Sequence, residues 1–135
     1  MSDRIPAPQV WPTLRARAAL PLIQFLVEAF GFVETAVYAD GDTVHHAELA
    51  WPAGGGIMLG SAPAGATNSP TAPGVFAAYA VADDPDALFA RATARGATVV
   101  RPLEDTDYGS RGFTVADPEG NQWSFGTWRG EPLKP

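Results

Sequence analysis

One hundred and thirty-five residues, 46% of them hydrophobic and 18% charged, are enough for one compact domain (1–135) and too few for a second, and the composition is too apolar for a disordered chain. Pro, Gly or a charge interrupts every apolar run before the roughly 18 residues that a membrane span needs, and the leading residues lack the basic start and apolar run of an export signal, so a cytoplasmic protein is expected. The absence of cysteine excludes disulfides, thiolate metal sites and a cysteine nucleophile, and a net charge of −6 repels nucleic acid and suits a neutral or cationic small partner.

In chain order, Gln9 to Ala16 reads as a strand. Leu22, Phe25, Leu26, Ala29 and Phe30 then follow helical spacing, with Pro21 suited to the first turn and Gly31 to the stop. Phe32–Asp40, Val44–Trp51 and Gly55–Ser61 read as three more strands, the first two joined by Asp40-Gly41-Asp42. The glycines Gly54, Gly55 and Gly56 precede a strand rather than a helix, which fits a tight lead into that strand and not a phosphate cradle. From Ser61 to Gly74 the chain is too rich in Pro, Gly, Ser and Ala to propagate an element, and 63–74 is assigned as a linker. Beyond it the same order returns. Val75–Ala82 is a strand, and Asp83-Asp84-Pro85-Asp86 starts a helix whose buried stripe is Leu88, Phe89 and Ala92 and whose stop is Gly96. Thr98–Leu103, Arg111–Ala116 and Gln122–Thr127 complete the second set of strands, with Asp117-Pro118-Glu119-Gly120 as a tight turn. The halves, 9–62 and 75–129, read as a repeat measured by the 65 residues from Gly31 to Gly96.

These two βαβββ units, with Ala29-Phe30-Gly31-Phe32 closing the first helix, Val81 to Phe89 opening the second, Tyr108-Gly109-Ser110-Arg111 and Asp117 to Asn121, resemble the glyoxalase/bleomycin resistance/dioxygenase superfamily, also called vicinal oxygen chelate proteins, across nearly the whole chain. The likeness is greatest to its glyoxalase-like and bleomycin-resistance-like members. It implies an α+β fold in which each module curls its sheet into a half-barrel around a cavity, with helices outside, and a homodimer with cavities near the subunit contact.

Placed on that frame, alternation sends Trp11, Thr13 and Arg15 of the first strand, His46 and Glu48 of the third and Met58 of the fourth into the cavity. It does the same for Phe76, Ala78 and Ala80 of the fifth strand and Gln122, Ser124 and Gly126 of the last, leaving Val75, Tyr79 and Val81 on the helix side. The metal-ligand positions that the resemblance implies fall on Trp11, Met58, Phe76 and Ser124, where an indole, a thioether, a phenyl ring and a hydroxyl offer a divalent ion nothing strong. His46 and Glu48 share a face and His45 points away, so no third ligand converges. No metal or other cofactor and no catalytic residue are assigned. The sequence thus points to a metal-free protein that sequesters a hydrophobic or cationic aromatic compound on Trp11, Thr13, Arg15, His46, Glu48, Met58, Phe76, Ala78, Gln122 and Ser124, as bleomycin-resistance proteins bind a drug. Arg111 either joins that set through an anionic group of the ligand or pairs with Asp105 or Asp107. The alternatives are a metal-dependent lyase, isomerase or dioxygenase of the glyoxalase type, and a scaffold whose cavity is simply filled. Trp51 and Trp128 are open between a rim and a dimer contact.

Overall fold

The computed structural model describes residues 7–63 and 72–135, so most of the expected linker lies outside the described residues. The order is β1 (Thr13–Ala16), α1 (Ala19–Phe25) running on into a π-helical turn (Leu26–Phe30), β2 (Val33–Asp40), β3 (Thr43–Ala50) and β4 (Gly56–Ser61), then β5 (Ala77–Val81), α2 (Pro85–Ala94), β6 (Thr98–Asp105), β7 (Arg111–Ala116) and β8 (Gln122–Gly126). Two βαβββ modules therefore make an α+β fold, each with an open four-stranded mixed sheet, β1-β4-β3-β2 and β5-β8-β7-β6. The first strand of each module runs parallel to its fourth, and the other pairs are antiparallel.

One face of each sheet is covered, and the two covered faces share a single core. Leu14, Ala16, Ala47, Leu49, Ile57 and Leu59 of the first module and Phe113, Val115, Trp123 and Phe125 of the second are all buried in it. Phe30, at the end of the π-turn, joins them, with its ring 5.6 Å from that of Trp123 and 4.8 Å from that of Phe125. Such tilted aromatic pairs add about 0.5–1.5 kcal/mol each beyond their buried area.

Register corrects the length of the repeat. Thr13 pairs with Met58 as Tyr79 pairs with Ser124, and the helix caps Ala18 and Asp84 keep the same offset of 66 residues. The closing glycines Gly31 and Gly96, both at positive φ, stand 65 apart because the first helix carries one extra residue. A single added residue widens one turn from α to π, which is where the π-turn Leu26–Phe30 lies.

Candidate ligand faces and the seam between modules

The uncovered face of the first sheet is built by register. Partners across a ladder share a face, so Thr13, Met58 and Glu48 project together, opposite the buried Leu14, Leu59 and Leu49. Arg15 follows Thr13 onto it. Trp11 continues this face: its Nε1 donates to Pro8 O at 2.9 Å, and a Cβ on Gly56 would come within 2.8 Å of the ring, so the bare glycine is what lets the indole lie there. The Glu48 carboxylate accepts from His46 Nε2 at 2.8 Å, and the Tyr38 ring stacks on His46 with centroids 6.3 Å apart.

His45 departs from expectation. The β2–β3 ladder pairs Tyr38 with His46 and Ala39 with Val44, leaving His45 as a bulge residue. Val44 and Ala47 are both buried, so the two histidines between them both stand on the uncovered side, because a bulge breaks the strict alternation. Each is engaged by its own carboxylate, His45 by Asp40 at 2.9 Å and His46 by Glu48. No group of three His, Asp or Glu side chains suited to an ion occurs among the described residues. A recess of about 110 Å³ lies here, lined by Thr13, Arg15, His45, His46 and Met58.

On the second sheet the expected phase of β5 is reversed. Ala78 pairs with the buried Trp123 and Ala80 with the buried Phe125, and the Phe76 ring packs 5.3 Å from Trp123. Phe76, Ala78 and Ala80 therefore belong to the core side, and Ala77 and Tyr79 share the uncovered face with Gln122 and Ser124. The large residues Val75, Tyr79 and Val81 suggested the opposite phase, and a one-residue slip moves every side chain to the other face. Tyr79, missed by sequence reasoning, is the repeat counterpart of Thr13. Its hydroxyl donates to Trp128 O at 2.6 Å, and a Cβ on Gly126 would lie 2.8 Å from it. Burial pushes its phenol above the ordinary value of 10.0, an effect partly offset by its bond with Ser110. Ser124 exchanges a hydrogen bond with Thr114 at 2.7 Å.

Arg111 is turned to α2. Its fork grips Asp86 through Nε at 2.8 Å and Nη2 at 3.0 Å, with Asp105 at 3.4 Å, so of the two partners foreseen on the surface only Asp105 is engaged and the principal one, Asp86, lay in another element. This bond holds the Asp86 carboxyl below its ordinary range and raises the guanidinium.

The register-matched positions Thr13, Met58, Tyr79 and Ser124 test whether the metal of the fold family fits. Two alcohols, a thioether and a phenol do not fit a divalent ion, which is held by imidazole nitrogen or carboxylate oxygen. Trp11 does no better, and Phe76 is on the wrong side of its sheet.

The modules are also tied along their seam. In the β7–β8 turn, the buried Asp117 accepts from Glu119 N, Asn121 N, Asn121 Nδ2 and Trp123 Nε1 at 2.8–3.1 Å. The same turn sends Glu119 across to the first module, where its carboxylate accepts from Arg17 N at 2.7 Å and Ala18 N at 2.8 Å. Because Ala18 has no side-chain cap of its own, Glu119 caps α1 from the other module. In return Arg91 of α2 donates to Glu28 O and Val27 O at the end of the π-turn, and Trp51 Nε1 donates to Val81 O at 2.9 Å.

A sequence profile of the Glyoxalase/Bleomycin resistance protein/Dioxygenase superfamily matches residues 13–125. Uncharacterized protein Rv0887c of Mycobacterium tuberculosis is 37% identical over 127 residues, which cover 88% of this chain and 74% of that one. Among solved structures, TioX from Micromonospora sp. ML1 superposes with a TM-score of 0.73 at 30% identity, over 89% of this chain and 98% of its own. TnmS3, an antibiotic binding protein from Streptomyces sp. CB03234, superposes at 0.69 with 22% identity, over 90% and 97%.

Proposed function

Since the chain belongs to the Glyoxalase/Bleomycin resistance protein/Dioxygenase superfamily, and since the positions facing its uncovered sheets carry no ion-holding set, we propose that it binds a hydrophobic or cationic aromatic small molecule without a metal and without reacting with it. The observation that carries this reading is the chemistry at Thr13, Met58, Tyr79 and Ser124, matched in register across the two modules. A thioether adapts its shape to a flat ligand, a phenol adds a ring face, and alcohols orient polar groups without activating them. Trp11 extends the platform of the first sheet, and Glu48 gives a cation a partner there. That TnmS3 binds an antibiotic supports the reading at the level of the shared architecture.

The protein acts in this reading as a homodimer. Each sheet is open, β1, β2, β5 and β6 lie at edges, and a second copy would cover edges and bring a further uncovered face toward the ligand. The binding claim is tested by titrating a panel of neutral and cationic planar dyes and following tryptophan quenching. At least one member should bind saturably, and Met58→Arg should weaken that binding tenfold or more. Saturable binding that is indifferent to Met58→Arg and to Tyr79→Ala would remove the uncovered faces from the site.

A further inference from the structure

The repeat places the β3–β4 turn opposite the β7–β8 turn, residue for residue. Trp51 N donates to Gly55 O and Gly54 N to Trp51 O, as Asp117 N does to Asn121 O and Gly120 N to Asp117 O, each 66 residues on. Trp-Pro-Ala-Gly-Gly thus stands where the second module has Asp-Pro-Glu-Gly-Asn. The consequence at the seam is unequal. On one side Glu119, 8% exposed, fills the space against Arg17 and Ala18. On the other its counterpart is Ala53, and the counterparts of Arg17 and Ala18 are Asp83 and Asp84. Ala53 ends at its Cβ and reaches neither. The place that Glu119 occupies on the closed side is here a groove of about 400 Å³ lined by Phe30, Pro52, Ala53, Asp83, Asp84 and Leu88.

A second groove of about 520 Å³ adjoins it, since both are lined by Trp51, Ala53 and Val81. Its walls are mainly Phe32, Ile57, Ala78, Ala80 and Trp123 on the core side of the sheets, with Tyr79 and Arg129 at its edge. Each volume falls within the range of about 300–1,000 Å³ of small-molecule pockets. The charged groups lining the grooves are already engaged: Asp83 pairs with Arg129, the Asp84 carboxylate accepts from Ala87 N as the cap of α2, and the Arg91 guanidinium donates to Glu28 O and Val27 O. With these two acids and two arginines each taken up, the apolar walls are left to recognise a ligand, and Trp51, half-buried and held by its bond to Val81 O, presents indole surface to both grooves.

We infer that this open side of the seam is a binding site for an uncharged planar aromatic molecule, centred on Trp51 and distinct from the Thr13, Glu48 and Met58 face of the first sheet. The loss of the Glu119-type latch is what opens it.

The probe is N-phenyl-1-naphthylamine, a neutral dye that brightens in apolar surroundings, titrated into the full chain. Two variants close the groove at exposed positions. Ala53→Trp fills the junction of both grooves, and Ala53→Glu with Asp83→Arg copies the closed side. Each should fold, as seen by unchanged far-ultraviolet circular dichroism, and weaken dye binding at least tenfold. One saturable dye per chain in the natural protein, lost in both variants, is the expected result. Absence of saturable binding, affinity retained in both folded variants, or affinity abolished by Met58→Arg instead would overturn the inference.

Discussion

Replacing Glu119 by alanine removes a carboxylate that accepts two backbone N–H groups of the opposite module and caps a helix with no cap of its own. A hydrogen bond to a charged group is worth about 1.5–3 kcal/mol net, and a lost N-cap about 0.5–2 kcal/mol. These overlap here, because the cap is made of the same bonds, so Glu119→Ala should destabilise by about 2–4 kcal/mol. For a chain of this size that corresponds to a melting temperature lower by roughly 8–14 °C. Glu119→Gln keeps one acceptor and turns an amide N–H₂ toward the other donor, so it should recover less than half of the loss. Urea unfolding measures both variants, and amide exchange locates the effect: Arg17 and Ala18 should exchange faster while the β7–β8 ladder keeps its relative protection. A loss below about 0.5 kcal/mol in Glu119→Ala would refute the latch, since it lies well under the typical worth of even one hydrogen bond to a charged group.

Asp117→Asn should cost about 2–3 kcal/mol, read by urea unfolding, because four donors, among them the 1% exposed side chains of Asn121 and Trp123, would face a group with one acceptor oxygen. Gly112→Ala would put a Cβ 2.2 Å from Phe125 O, and thermal melting should show a loss of at least about 1–3 kcal/mol as the β7–β8 pair is forced apart. Asp86 has its pKa depressed by Arg111, so the pair's contribution is present above the unfolded carboxyl pKa of about 3.9 and vanishes as pH falls through the lower folded value; NMR titration should show the Asp86 pKa rising in Arg111→Gln. Sedimentation should give a species of twice the 14.2 kDa chain mass at micromolar concentration, and a single-chain species throughout would contradict the dimer.

Much of the fold is legible in the residues. Helical spacing from Leu22 to Phe30, the glycine stops and the Asp117–Gly120 turn locate both modules, because each rests on a local rule of periodicity or backbone freedom. The uncovered face of the first sheet is legible for the same reason: Leu14, Ala47, Leu49, Ile57 and Leu59 alternate cleanly with Thr13, His46, Glu48 and Met58. Where alternation lacks contrast, it misleads. In β5 small alanines pack the core and larger residues face outward, so size pointed the wrong way and Phe76 and Ala78 displaced Tyr79 from the site. The bulge at His45 comes from pairing with β2, which no single strand announces. Glu119, Asp86 and Trp51 act across modules or elements, on partners 101, 25 and 30 residues away in sequence, and only the folded arrangement reveals them. One signal was available: measuring the repeat from the helix caps rather than from the glycines gives 66, which pairs Tyr79 with Thr13 and Ala53 with Glu119.

The binding account turns on whether a ligand is held by side-chain chemistry or through an ion. Untagged protein, purified without chelator, should be assayed for nickel, zinc, manganese and iron, and its dye isotherm then repeated with excess EDTA. The account predicts well under one ion per chain and an unchanged isotherm. One tightly held ion per chain, with binding abolished by EDTA and restored by that ion, would contradict it.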